Sequence, residues 1–395
     1  MKAGDVSRRE FLGTSSIGGA ALALGMSSQA AVGKDDEVVL GFIGTGGRGR
    51  FLLKQAVDLP GIRFGAICDL KQSAMDKAME VLQMQEPKPK QYTDFRQMLE
   101  KEKLDGIMIA TEVGNHAKVA VPVLDAGFHI FCEKPVDADV ERVDKFVKAA
   151  RAAKGITQIG FQRRYKPGYV EAIEKIQKGM VGKIRFLEGH WKWPRLPGSG
   201  HWVTDVKMSG GELVEQAGHH MDVMAWIMKG AHPERCVSVG GINRRTPLGS
   251  VVEDHSFSVF EFGCGALFQY SHLFGVGTRR FIGEKLRAIG DKGGAEIFKI
   301  DYKLPGSWKA YDVQGKEKPI SDKHCDHITG VKGQLLAFAA HCRKKEKVLP
   351  ASNIETARIA TFMSMMGRQA MFDPSTKKFD ERVIEWKDLG TTTDP

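Results

Sequence analysis

From residue 38 to about 135, short apolar runs alternate with longer stretches in which apolar residues recur every third or fourth position. The runs at 38–43, 62–68, 105–110 and 128–132 predict buried strands, and the stretches at 48–58, 71–84 and 116–126 predict helices between them. Strand–helix alternation of this kind makes a parallel, doubly wound sheet with right-handed crossovers. A helix over about 139–153 presents Val140, Val143, Phe146, Val147 and Ala150 as one stripe, and Thr157-Gln158-Ile159-Gly160-Phe161 closes this half as a strand. Beyond residue 160 the rhythm changes. Strands expected at 183–193, 235–244, 255–262, 265–274, 286–290 and 295–299 include sequence neighbours joined by turns such as Gly263-Cys264-Gly265. Such neighbours pair antiparallel, which predicts an α+β second domain: an open, mainly antiparallel sheet with helices near 167–178, 211–229, 331–344 and 353–370 on one face. The expected division is a leader at 1–33, a nucleotide-binding domain at 34–160, a substrate domain at 161–372 and a tail at 373–395.

Composition supports two cores: the chain has 395 residues, of which 42% are hydrophobic. Its net charge of +10 is scattered, the densest cluster being Arg343-Lys344-Lys345 at the end of a helical pattern, where cations complement the helix dipole. No nucleic-acid-binding module accompanies that charge, so it fits solubility or an anionic ligand better. Six cysteines lack C-x-x-C spacing, and Cys68 and Cys132 fall at strand ends as small core residues. His324-Cys325-Asp326-His327 are sequence neighbours that would not converge on one ion, so no metal is expected. Ser7-Arg8-Arg9-Glu10-Phe11-Leu12-Gly13, an apolar stretch from Ile17 to Met26 and Ser28-Gln29-Ala30 resemble a twin-arginine export signal, which implies a periplasmic or otherwise extracytoplasmic protein. The segment 17–26 is too short to span a bilayer, and no later run reaches the required length.

Chemistry enters where strand 38–43 meets Gly44-Thr45-Gly46-Gly47-Arg48-Gly49, a G-x-G-x-x-G between a strand and a helix. Gly44 permits the tight turn, Gly46 lets a pyrophosphate approach the backbone, and Gly49 lets the helix pack on the strand. The helix amino end then faces the phosphates with unpaired N–H groups. About twenty residues on, the second strand ends in Asp69, an acceptor for ribose hydroxyls whose charge repels a 2′-phosphate. The cofactor read from these residues is NAD rather than NADP, with Lys71 nearby pulling the other way.

A third strand end carries Glu133-Lys134-Pro135, and a glycine-led helix carries Glu215 and His219 within Gly210-Gly211-Glu212-Leu213-Val214-Glu215-Gln216-Ala217-Gly218-His219-His220-Met221-Asp222. Together with the glycine turn these resemble the glucose–fructose oxidoreductase, inositol dehydrogenase and MocA (Gfo/Idh/MocA) family over roughly residues 38–370. The resemblance implies that Lys134 reaches the nicotinamide and the reacting hydroxyl, that the Pro135 bond is often cis, and that His219 is the catalytic base. It also places Thr111 and His116 on the cofactor loop, where Thr111-Glu112 departs from the family's usual Thr-Pro. In a regular helix Glu215, His219 and Asp222 share a face, so Glu215 is expected to orient His219. A partly buried polar stripe satisfied within the protein is the competing reading of that helix. Arg163, Arg164 and Tyr165, after the last strand of the first half, and His220 beside His219 are candidate substrate contacts, one arginine being structural. Trp193, His201 and Trp202, near Trp191 and Arg195, offer flat rings beside polar donors, as a sugar requires; packing onto the sheet explains them equally well.

The activity expected is NAD(P)-dependent oxidation of a secondary hydroxyl on a sugar, glycoside or cyclitol, with the cofactor held tightly through export. Alternatives are a redox-neutral NAD-dependent glycoside hydrolase, a ketosugar-forming partner of a lyase, or a non-catalytic binding protein on the same frame. A homodimer or homotetramer is implied by resemblance alone.

Overall fold

The computed structural model describes residues 37–193, 201–242, 252–275, 283–300, 308–312, 314, 316–321, 327–343, 349–373, 378–379 and 382–393. The twin-arginine segment, Arg195, His324-Cys325-Asp326 and Lys344-Lys345 lie outside the described residues. In the first half, strands β1 (Val38–Ile43), β2 (Ile62–Cys68), β3 (Lys90–Tyr92), β4 (Gly106–Ile109), β5 (His129–Cys132) and β6 (Thr157–Ile159) form one sheet in the order β3-β2-β1-β4-β5-β6. Every pair in it is parallel. Helices α1 (Gly47–Ala56), α2 (Gln72–Val81), α3 (Phe95–Lys101), α4 (His116–Asp125) and α5 (Val140–Ala152) make the crossovers. This is the doubly wound arrangement, in which ligands lie at the carboxyl ends of β1 and β4 where the strand order reverses.

The second half begins with α6 (Pro167–Gln177) and β7 (Ile184–Trp193), continues through the short α7 (Val206–Ser209), a π-helical turn (Leu213–Ala217) and α8 (Gly218–Ile227), and then builds its sheet. That sheet uses β8 (Pro233–Gly241), β9 (His255–Phe262), β10 (Leu267–Phe274), β11 (Gly283–Gly290), β12 (Gly293–Ile300), β13 (Trp308–Asp312) and β14 (Glu317–Ser321). Two helices follow, α9 (His327–Arg343) and α10 (Ile354–Gln369), then β15 (Phe372–Asp373), β16 (Lys378–Phe379) and β17 (Val383–Glu385). Nine strands run β14-β13-β12-β11-β7-β10-β9-β8-β17, antiparallel except for β7 against β10. The single parallel pair arises because β7 and β10 are far apart in sequence and need no hairpin between them.

Two helices tie the halves together. Val331, Leu335, Phe338 and Ala339 of α9 pack with Val38, Leu40, Phe42, Phe64 and Phe131 of the first sheet, although α9 follows the second sheet in sequence. The contact is close, the Phe131 and Phe338 ring centroids being 6.0 Å apart. Next, α10 lies under the site: Thr361 Oγ1 accepts from the Val136 N–H at 3.2 Å, and just before α10 Ser352 Oγ donates to the Ile159 carbonyl at 2.7 Å. Cys68 and Cys132 are buried and unbridged, and burial pushes the Cys68 thiol up to about 12.

Candidate active site

The glycine turn is built by packing on one side and left open on the other. Gly44 has φ +89°, and a Cβ there would lie 2.7 Å from the Ala110 carbonyl carbon; a Cβ on Gly49 would lie 2.0 Å from Gly44 O. Gly46 and Gly47 have nothing within 4 Å of such a Cβ, so their bareness leaves space outside the backbone rather than serving a contact within the protein. Gly46 caps α1 without a side-chain hydrogen bond, leaving amide hydrogens for an anion. One Asp69 oxygen accepts from Thr45 N at 2.8 Å and Thr45 Oγ1 at 3.2 Å, and the other from Lys71 N at 2.9 Å. Oδ1, which accepts only from Lys71 N, retains acceptor capacity for a ribose hydroxyl. These residues fit a dinucleotide.

The loop after β5 is fastened from three directions. Glu133, almost fully buried, pairs with Arg48 at 2.7 Å, and a Cβ on Gly160 would strike the Glu133 carboxylate at 2.8 Å. Arg48 therefore ties α1 to β5, its charge balanced by Glu133. The Lys134–Pro135 peptide is cis. His116 lies between two carbonyls, Pro135 O at 2.8 Å from Nδ1 and Thr111 O at 3.2 Å from Nε2. His116 thus clamps the β4 and β5 loops together, and Thr111 shares that clamp through its carbonyl.

Lys134 crosses to the second half. Its Nζ donates to Glu215 Oε1 at 2.9 Å and to the Glu215 carbonyl at 2.5 Å, over a sequence separation of 81 residues. This corrects the role expected for Glu215, which holds the lysine rather than orienting the imidazole. Residues 213–217 form a π-turn, not the regular helix expected across 211–229, and within it one Glu215 carboxylate oxygen is engaged by Lys134 while the other is buried without a hydrogen-bond partner. His219 Nδ1 is buried with no hydrogen-bond partner. Burial first, then the charges of Lys134, Arg163 and Arg48, hold the His219 pKa well below the usual 6.5, so the ring is neutral and able to accept a proton. Three hydrogens on an ammonium and two acceptors on Glu215 leave one donor of Lys134 for a ligand oxygen. Behind this pair lies Glu212, 2% exposed, whose carboxyl burial and the neighbouring Glu215 and Glu253 push well above the ordinary carboxylate range.

The other expected substrate contacts divide. Arg164 is spent on Asp222 through both oxygens, at 2.8 and 3.0 Å from Nε. Tyr165 is buried, its hydroxyl accepting from Ser352 N at 3.3 Å. Arg163 pairs with Glu284 and lies 5.6 Å from the Trp191 ring centre. His220 binds Glu284 Oε2 at 2.9 Å and the Tyr270 hydroxyl at 3.1 Å. Arg164, Tyr165 and His220 are therefore internal supports, a correction with one cause: each meets a buried partner that the sequence places far away. Trp193 is half-buried at the end of β7, and His201 is exposed with its ring 5.6 Å from that of Trp202. Trp191, beside His219 at 6.2 Å between ring centroids, is nearer the chemistry than either. Among the described residues no group of three or more His, Cys, Asp or Glu is placed to hold a metal ion.

Comparison with known proteins agrees with this geometry. The family model described as "Oxidoreductase family, NAD-binding Rossmann fold" matches residues 38–161, and that of the GFO/IDH/MocA C-terminal domain matches residues 169–296. The chain belongs to the Gfo/Idh/MocA oxidoreductase family. A myo-inositol 2-dehydrogenase of Thermotoga maritima is 25% identical over 203 residues, 51% of this chain and 58% of that protein. An alpha-N-acetylgalactosaminidase of Shewanella oneidensis is 28% identical over 156 residues, 38% of this chain and 34% of that protein. The chain spans about half the length of the first curated relatives it matches. The crystal structure of an oxidoreductase domain protein from Kribbella flavida superimposes with a TM-score of 0.72 at 18% identity, covering 87% of this chain and 99% of that one, which speaks to the fold alone. A Gfo/Idh/MocA oxidoreductase with an NAD-binding Rossmann domain accounts for both halves of the molecule.

Proposed function

We propose that this protein oxidises a secondary hydroxyl of a cyclitol or sugar with NAD. The observation that carries the proposal is the Lys134–Glu215 bridge, which sets an ammonium with one unspent donor near a buried, neutral His219. NAD, when bound, supplies the hydride acceptor. Gly46, Gly47 and the α1 amides would hold its pyrophosphate, and Asp69 its adenosine ribose, which favours NAD over NADP. Lys134 would donate to the reacting oxygen and stabilise its developing negative charge, while His219 takes the proton. Likeness to inositol dehydrogenases supports a cyclitol among the possible polyols. The test is NADH formation from NAD with myo-inositol, scyllo-inositol, glucose and galactose. Failure of all four in a folded, NAD-binding protein removes the reading. A second reading, cleavage of a glycoside without net NADH, draws on the likeness to an alpha-N-acetylgalactosaminidase. Release of aglycone from an aryl glycoside in an NAD-dependent assay decides between them.

A further inference from the structure

One row of side chains crosses the second sheet: Glu284 of β11, Trp191 of β7, His272 of β10 and Ser256 of β9 are successive register partners. The Trp191 ring centroid lies 6.2 Å from those of both His219 and His272. A chain of hydrogen bonds with only one possible sense joins Glu284 to His272 through His220 and Tyr270. Glu284, which the Arg163 guanidinium and His220 keep ionised down to about 2 against its burial, can only accept. His220 must then donate from Nε2, and because burial keeps that ring neutral its Nδ1 carries no proton. Tyr270 must donate its hydroxyl proton to His220 Nδ1, so its oxygen accepts from His272 Nδ1 at 3.3 Å. His272, also held neutral by burial, is left with a bare Nε2 lone pair.

That nitrogen has no partner, and neither has Ser256 Oγ, on the residue paired with His272 across the strands. The two residues are only 2% and 6% exposed. Opposed residues of an antiparallel pair have Cβ atoms about 5 Å apart on one face of the sheet, so the two unpaired groups are neighbours. We propose that His272 Nε2 and Ser256 Oγ form a subsite reading one hydroxyl of a polyol, which donates its proton to His272 Nε2 and accepts the Ser256 proton. This rests on the polyol reading under Proposed function. A keto or ether oxygen at the same place has no proton to give and leaves Nε2 unbonded, so the subsite selects hydroxyl over either.

The test uses the NAD-loaded protein labelled with nitrogen-15 histidine and titrated with myo-inositol. The expected result is His272 protonated at Nδ1 only and His220 at Nε2 only, with myo-inositol shifting both His219 and His272 Nε2. Ser256→Ala is expected to weaken myo-inositol about tenfold with NAD affinity unchanged. Protonation of His272 at Nε2 overturns the proposal, as does a His219 that responds to myo-inositol while His272 does not. A silent His219 instead marks failure of the cyclitol reading above, and the His272 tautomer then decides the acceptor alone: Nδ1–H supports it and Nε2–H overturns it.

Discussion

Removing the Lys134 ammonium leaves the Glu215 carboxylate near Glu212 and without the cation that bridges the two halves. Lys134→Ala is therefore expected to lower kcat by roughly a thousandfold, as for loss of one strong donor to developing charge, with NAD affinity nearly unchanged in a binding titration. A turnover retained within tenfold would remove Lys134 from the chemistry. His219 is neutral through the range where an ordinary histidine titrates, so kcat/KM should show no loss of activity from His219 until the pH is well below 6.5. A midpoint at 6.5 assigned to His219 would contradict that environment. Glu212 works in the other direction. Its folded pKa is raised, so the unfolded chain releases a proton that the folded one keeps, and stability falls as pH rises past 4.5. Glu212→Gln should accordingly raise Tm at pH 8 by about 2 °C or more by calorimetry.

At the scale of elements, the π-turn at Leu213–Ala217 carries the Glu215 that accepts from Lys134. A π-turn holds one residue more than an α-turn, so deleting Gln216 should restore a regular helix, carry Glu215 away from Lys134, and leave a folded, NAD-binding protein with little turnover. Circular dichroism with an activity assay checks this. No residue type marks such a turn, which is why the sequence predicted an uninterrupted helix, and the Glu215–His219 contact was expected because Lys134, the partner Glu215 meets instead, is 81 residues away. The glycine turn and Asp69 were legible because their function depends on backbone shape and spacing, both written in consecutive residues. The support network was not. Arg163, His220, Tyr270, His272 and Glu284 come from a turn, a helix and two strands, and only the register of β7, β10 and β11 aligns them. The three-residue β3 carries no strand signal, since Lys90-Gln91-Tyr92 offers no apolar run.

For the whole molecule, three buried or half-buried histidines share one linkage. His190 and His220 are depressed from 6.5 to about 4 and His272 to about 3 by burial, so the unfolded chain binds protons that the folded chain refuses. Their contribution is complete above 6.5 and is lost as pH falls toward 4, and Glu284, depressed from 4.5 to about 2, adds loss below that. Tm measured by calorimetry should fall steadily between pH 6.5 and 4; a flat profile would contradict the burial of these rings. A fragment ending at residue 166 lacks α9 and leaves Phe131, Phe64 and Leu40 uncovered, so it is expected to show no cooperative melt. The same dependence sets an order of events during synthesis. The strands that cradle the cofactor leave the ribosome early, yet their apolar face is sealed only when residues 327–343 have been made. Cofactor capture therefore follows translation through residue 343, and a nascent chain stalled before that point carries the glycine turn without the support that makes it a binding site.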